Sequence, residues 1–523
     1  MFKKAILYPF LFILYGILNP LLFNLDQVDP SQAVRPLLIL VLISSGLILI
    51  LRFVFKNWQY AGYLTFLFLA FLFFSGHSSQ IIQDLIPSYL ESASLIAMLF
   101  WGISLSILGV KGIWLRIGGT SVLNPALNLI LTFAVLSQVL LAAPKIIRTV
   151  FSFPGQGKSE LIPETGASTT IDCQQRPDIY YLILDAYGRA DVLEEQYGLD
   201  NQPFLEFLER KGFTVAGQSH SNYTQTIFSL ASALNFKFIG PEPAGTSGQT
   251  YFTRLIAENE LVALLQECGY RTVSFETGFS FTNNPQVDIY LASENRFNDF
   301  ESLLLVDTPL EWLAEAVGWE QPEYSYESHR ERVLDDFTQL KSLPEIEGPK
   351  FVFAHIISPH PPFVFDQNGA SKQPGRSYSI GDGNDFRGTW DEYREGYANQ
   401  VEFINRMLEE TIESILTGSQ TPPIIILQGD HGPGGHLDWS SPGSSCLWER
   451  TSILNAYYLP GGVSQPYATI TPVNSFRVIL NNYFGTDLEL LPDKTFFTSH
   501  RLPRQVIDIT DERESRANCS GGN

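Results

Sequence analysis

The sequence predicts a two-part protein: an N-terminal domain of five transmembrane helices, then an α/β domain whose mostly parallel central sheet is covered by helices. Three observations predict it. Five apolar runs crowd the first 150 residues, each close to the roughly 20 residues a helix needs to cross hydrocarbon. Beyond residue 178, short and nearly continuous apolar segments alternate with helical patterns, as in a parallel sheet buried on both faces. Charge divides the same way: residues 1–150 hold 9 Lys+Arg against 4 Asp+Glu, and the rest holds 25 against 51.

The runs cover 5–24, 36–55, 60–75, 92–110 and 123–143. The first is not a cleavable signal peptide, because no small-residue cleavage site follows it and four more runs do. A buried helical core is the alternative reading, disfavoured by five such runs in succession. With Met1 cytoplasmic, Lys3, Lys4, Arg52, Lys56, Lys111 and Arg116 flank ends on one side. Asp26, Asp29, Asp84 and Glu91, with Arg35 alone against them, flank the other. That is the positive-inside pattern, slightly weakened by Lys145 and Arg148. An odd number of spans then places everything after residue 143 outside the cytoplasm. No run carries an ionisable group near its middle, so the membrane part reads as an anchor or lipid platform and not as an ion pathway.

Residues 151–177 are rich in Pro, Gly, Ser and Thr and read as a linker, followed by an extracytoplasmic globular domain over 178–515 and a tail over 516–523. The acidity of this outer part argues against a nucleic-acid partner. All four cysteines, Cys173, Cys268, Cys446 and Cys519, lie in it. Three pairings are open, and free thiols are the alternative. Strands are predicted at 179–185, 271–277, 350–356 and 422–430. Helices are predicted over 202–213, 227–235, 254–270, 326–340 and 397–416. Residues 366–390 read as a long polar excursion.

Three of the strands end in groups of one chemical kind: Asp185 in "LILDAYGR", His355 in "FAHIISPH", and Asp430-His431 in "IIILQGDHG". If those strands are neighbours, their ends converge at the edge where parallel sheets bind ligands. Two carboxylates and an imidazole suit one divalent cation, Zn²⁺ or Mn²⁺ first, with Mg²⁺ or Ca²⁺ as alternatives. The cation would offset the cost of burying Asp430. Each strand-end acid has a bland reading as a helix cap or loop hydrogen bond, which three coincident ends weaken. Thr226 precedes an apolar helical stretch, "IFSLASALN", where a hydroxyl can serve as an ordinary N-cap or stand beside a bound anion.

Taken together, "IYYLILDAYGRAD", Thr226 with Ser229 three residues on, "HIISPH" and "GDHG" resemble the alkaline phosphatase superfamily, in its sulfatase-like branch. The membrane spans ahead of them resemble lipoteichoic acid synthases and phosphoethanolamine transferases. The resemblance implies Asp185, Thr226, Asp430 and His431 as the metal site, with Thr226 also the nucleophile. It implies His360 at the substrate phosphate or leaving group, and His355 as a second pocket histidine. "TIFSL" lacks the Cys or Ser with Pro and Arg that formylglycine sulfatases need, so sulfate-ester hydrolysis is disfavoured. No Asp/His/His set for a second permanent metal matches, and His436 and His500 stay unassigned. The implied activity is metal-dependent transfer of a phospho-headgroup from a membrane phospholipid to an envelope glycan or lipid. Hydrolysis with water as acceptor is the second reading, and a non-catalytic envelope assembly protein the third. Of the other polar groups, His77 and His329 read as surface residues and His220 as structural. Arg450 reads as either an anion contact or a surface ion pair.

Overall fold

The computed structural model describes residues 5–23, 33–85, 93–116, 121–150, 171–241, 248–279, 281–292, 301, 304, 308–309, 326–373, 379–498 and 505–519. Most of the 151–177 linker therefore lies outside the described residues, as do Lys3, Lys4, Asp26, Asp29, Glu91 and His500. The chain forms two compact units: Met1–Ala167 with Asn295–Tyr324, and Ser168–Glu294 with Ser325–Asn523.

In the N-terminal unit the helices are α1 (Tyr8–Phe23), α2 (Val34–Phe55), α3 (Trp58–Leu85), α4 (Ala93–Leu108), α5 (Lys111–Arg116) and α6 (Leu123–Val150). Among the described residues, three stretches are long and apolar enough to cross a membrane, Val34–Phe55, Trp58–Ser75 and Leu123–Leu140; Tyr8–Leu22 and Leu99–Leu108 are shorter. The unit turns large apolar groups outward, with Phe53 85% and Phe133 73% exposed. Such a surface is stable only against an apolar medium. Inside, Tyr8, Phe12, Ile13 and Leu69 form a core to which Leu304 adds a contact, and Arg35 pairs with Glu301.

The second unit is built on seven strands: β1 (Ile179–Leu184), β2 (Thr214–Val215), β3 (Arg271–Phe275), β4 (Ile289–Leu291), β5 (Lys350–Ile356), β6 (Ile424–Gln428) and β7 (Asn455–Tyr458). Their order is β2-β7-β6-β1-β5-β3-β4. The β6, β1, β5, β3 and β4 pairings are parallel, and β7 runs against both its neighbours. A separate pair, β8 (Phe496–Thr498) and β9 (Val506–Asp508), is antiparallel. Side chains along β1 alternate between two cores, Tyr180, Leu182 and Leu184 on one face and Ile179, Tyr181 and Ile183 on the other. That alternation is why the strand reads as one continuous apolar run.

Helices α7 (Ala190–Tyr197), α8 (Gln202–Arg210), α9 (Thr226–Leu234), α10 (Gly248–Ala257), α11 (Glu260–Glu267), α12 (Tyr326–Ser342), α13 (Trp390–Gly418), α14 (Leu447–Thr451) and α15 (Pro472–Tyr483) complete the unit. The single helix predicted over 254–270 is two, because the Asn259 side chain accepts from Val262 N and starts α11 afresh. Helix α13 begins seven residues ahead of the prediction, where Thr389 and Glu392 form a capping box. Cys173 pairs with Cys268 and Cys446 with Cys519. The second disulfide ties the C-terminal stretch to the residue preceding α14.

Candidate metal centre and active site

Sheet order puts β6, β1 and β5 side by side in register, so Asp185, His355 and Asp430 leave the same edge. Asp185 continues β1 by donating its N–H to Ile356 O at 3.0 Å. Ala186 then takes a left-handed conformation, φ 64°, which is costly for a residue with a Cβ. The turn aims the Ala186 N–H at Asp430 Oδ1, 3.1 Å away, and so joins the first two ligand loops.

Asp185, Asp430 and His431 are buried, and one ligand atom from each lies within 4.8 Å of the others. The His431 Nδ1–H donates to Gly432 O at 3.0 Å, leaving Nε2 to face inward. That nitrogen is 3.4 Å from Asp430 Oδ2 and 3.5 Å from Asp185 Oδ1. Among the described residues, neither Asp185 Oδ1 nor Asp430 Oδ2 has a hydrogen-bond partner. Two buried, orphaned carboxylate oxygens around an imidazole lone pair are unfavourable alone and well suited to a divalent cation. The residues present therefore fit the metal that the sequence implied.

Thr226 opens α9, but the N-cap is Gln225, whose side chain makes no capping bond. Instead of capping, the Thr226 hydroxyl donates to His431 Nε2 at 3.1 Å. The N-cap reading of Thr226 does not hold. Ser229, its companion in the motif, is held structurally by donating to Tyr223 O at 3.0 Å.

His355 stands behind Asp185, its Nε2 3.3 Å from Asp185 Oδ2, with Nδ1 2.9 Å from Thr282 Oγ1. It is fully buried, and its Nε2 makes no hydrogen bond to a described residue. His360 is fastened by its N–H to Asp185 O at 3.0 Å. Its ring lies 6.2 Å from the His431 ring, and its Nε2 is 3.8 Å from Asp382 Oδ2. Burial opposes ionisation of Asp185, yet His360, His355 and His431 hold its carboxyl well below the usual range. Burial, then Arg450, pushes the His431 imidazole down, which keeps it neutral as a ligand must be.

Asp382 is the residue that sequence reasoning missed. It sits inside the polar excursion with no motif around it, yet it is 4% exposed. Tyr393 OH donates to its Oδ1 at 2.8 Å, and Arg450 Nη1 to its Oδ2 at 2.7 Å. Burial raises its carboxyl, but Arg450 first, then His360, His431 and the Tyr393 bond, bring it below the usual value. Arg450 is 1% exposed, so its pair is not a surface one. His436 is held by Glu449, Nδ1 to Oε2 at 3.2 Å. His220 is buried between Thr451 and Glu514. His329 is also buried, against Ile357 O at 3.0 Å, contrary to the surface position expected.

The glycines after the strand answer to space and not to handedness. Gly432 and Gly434 are absent from the left-handed residues. A Cβ on Gly432 would lie 2.1 Å from Glu449 O, and one on Gly434 2.3 Å from Asp382 Oδ2. Any side chain at either position would push Asp382 or the α14 backbone away from the ligands.

A family model described as Sulfatase matches residues 177–469. Among solved structures, the chain is similar to the C-terminal periplasmic domain of EcEptC from Escherichia coli, in complex with Zn. The two are 12% identical, cover 68% of this chain and 98% of that chain, and give a TM-score of 0.43. It is similar to the periplasmic domain of phosphoethanolamine transferase EptC from Campylobacter jejuni at 11% identity, covering 54% and 80%, TM-score 0.33. It is also similar to the phosphonate monoester hydrolase of Agrobacterium radiobacter at 12% identity, covering 62% and 80%, TM-score 0.39. No curated protein matches the chain.

Proposed function

The chain belongs to the sulfatase family, and from that premise we propose a membrane-anchored phosphotransferase in which Thr226 carries a phospho-headgroup from a lipid donor to an envelope glycan or lipid acceptor. The observation that carries this reading is the Thr226 hydroxyl, 3.1 Å from His431 Nε2 and beside two orphaned carboxylate oxygens. Asp185, Asp430 and His431 hold one divalent cation, Zn²⁺ or Mn²⁺ by donor type, with Thr226 beside it. When bound, the cation supplies charge that makes a neighbouring hydroxyl more acidic and balances phosphoryl oxygens.

The Thr226 oxygen attacks the donor phosphorus, and the bond from phosphorus to the lipid alcohol breaks. His360, fixed by Asp185 O, supplies an N–H to the departing oxygen. The hydroxyl of the acceptor then attacks the phospho-threonine. The acceptor hydroxyl passes its proton to His360, replacing the one given to the lipid alcohol, and Thr226 leaves and regains from solvent the proton it released there when it attacked. A threonine cannot become the formylglycine aldehyde, which speaks against sulfate-ester hydrolysis. Five N-terminal helices as spans and the outer domain beyond the membrane suit a donor confined to the bilayer, because tethering raises its effective concentration. The two disulfides suit an oxidising compartment on that side.

The test is mass spectrometry of Thr226 after metal-loaded protein meets lipid extract. An adduct with the mass of a phospho-headgroup is expected, absent in Thr226→Ala, whose turnover should fall by about 10³-fold or more. No adduct across lipid classes refutes the reading. Headgroup released as free phosphoester, in the presence of acceptor, replaces transfer with hydrolysis.

A further inference from the structure

The second unit has a cavity of about 220 Å³ whose walls come from the stretch after His360, from both sides of Asp382 and from the first turns of α13. Pro362 and Phe363 stand two and three residues beyond His360. Gly381 precedes Asp382, whose Oδ2 is 3.8 Å from His360 Nε2. One side chain ties the histidine to this wall: Gln400 accepts from Val364 N at 2.9 Å and donates to His360 O at 3.1 Å. The cavity therefore adjoins the proposed proton carrier.

Its apolar lining is aromatic, with Phe363, Phe365 and Phe386 around it. Helix α13 accepts an unfavourable residue to seat the first of them. Gly396 stands inside the helix, where glycine costs about 1 kcal/mol against alanine. A Cβ there would lie 2.4 Å from Phe363 Cδ2. Tyr393 meets the same ring nearly at a right angle, with centroids 5.1 Å apart.

The polar lining is unused. Lys372, Arg387, Glu395 and Asn399 border the cavity, and the side chain of none hydrogen-bonds or ion-pairs with a described residue. Farther along α13, by contrast, Glu410 pairs with Lys341 and Glu413 with Lys211. An aromatic hollow edged by a few free donors and acceptors is the form of a small-ligand site. Two cations, a carboxylate and an amide at its edge exclude an acyl chain, which would strip their water and replace none of it. They suit a ring with hydroxyls at its rim and C–H bonds on its face. The hydroxyls both donate and accept, and the slightly positive C–H bonds lie on the negative face of an aromatic ring. That is the chemistry of a sugar.

We propose that this cavity binds one sugar ring of the acceptor, so that the group is transferred to a glycan and not to a lipid. The proposal rests on the phosphotransfer reading and deepens it. The ring stacks on Phe363 and is held by Glu395 and Asn399, which lie four residues apart on one face of α13. A hydroxyl of the bound sugar forms the new bond to phosphorus, its proton goes to His360, and the bond from phosphorus to Thr226 breaks.

The test is saturation-transfer NMR of the full-length, metal-loaded protein in a detergent without sugar headgroups, titrated with glucose, glycerol and dodecanoate. Glucose should bind about tenfold or more tighter than glycerol. Glu395→Ala and Asn399→Ala place the best helix former on α13, and each should weaken glucose about fivefold, the loss of one hydrogen bond. Phe363→Leu keeps an apolar side chain without the ring face and should weaken it about tenfold. Glucose should also speed discharge of the Thr226 adduct. Unchanged glucose affinity in both alanine variants overturns the proposal, whether or not Phe363→Leu folds. Glycerol bound as tightly as glucose overturns the ring assignment, and dodecanoate bound in place of glucose gives the cavity to an acyl chain. Binding without faster discharge of the adduct overturns the acceptor role. A Thr226 adduct without glucose binding defeats the sugar site alone, and the expected affinities without an adduct defeat phosphotransfer alone.

Discussion

Two clusters of buried charge stand next to each other in the outer unit, and they are finished differently. Around Asp382, both carboxylate oxygens have protein donors, Tyr393 and Arg450. Around Asp185 and Asp430, one oxygen of each has none among the described residues. Burial is equal in the two places, so desolvation does not separate them. What differs is the partner: Arg450 supplies positive charge at Asp382, and no described residue hydrogen-bonds the second oxygen of Asp430. The closed cluster is satisfied by the chain itself, and the open one has the donor set that fits a cation.

The comparison is broken most severely by Asp382→Ala, which strands the Arg450 guanidinium in the interior. Removing one partner of a buried pair costs about 3–5 kcal/mol. The loss should be the same with or without metal, as read by denaturant unfolding. Asp430→Asn should do the reverse in metal-free protein. The amide oxygen keeps the bond from Ala186 N while the unpaired charge goes, so stability should rise by about 1–2 kcal/mol. The same variant should lose the rise in Tm that Zn²⁺ gives the wild type, about 4 kcal/mol at a thousandfold excess over Kd. Equal responses of the two variants to chelator would erase the distinction.

A smaller test removes a background that could blur it. Burial first, then Arg332, pushes His329 down to about 3. Its folded pKa is below the ordinary 6.5, so the neutral ring is stable at neutral pH. As pH falls below about 6.5 the unfolded chain takes up a proton that the folded one refuses, and stability declines until about pH 3. At pH 5 this amounts to about 2 kcal/mol. His329→Gln, which can still donate to Ile357 O, should flatten unfolding free energy between pH 6.5 and 5. An unchanged slope assigns the acid sensitivity to another group.

The open cluster was legible in the sequence and the closed one was not, for a physical reason. Asp185, His355 and Asp430 follow apolar strands, so a polar group at the end of a buried run marks the sheet edge before any coordinates exist. Thr226 was legible by its place ahead of an apolar helix, though its hydroxyl serves His431 and not the helix end. Asp382 lies among serines, glycines and other acids whose pattern says only that water is near. Its burial depends on Tyr393 and Arg450, 11 and 68 residues away in sequence, and no local period records that. The short β2, β7, β8 and β9 escaped likewise, since strands of two to four residues are fixed by their neighbours. Crowding at Gly432 and Gly434 leaves no trace in one sequence.

The discontinuity of the two units bears on how this protein can be handled. A fragment cut in the 151–177 stretch would still carry residues 295–324, which group with the part removed. Glu301 would lose Arg35, and Leu304 its apolar neighbours. Such an excised domain should express as a sticky, protease-prone product. Replacing 295–324 with a short polar loop is the cleaner route to a soluble enzyme.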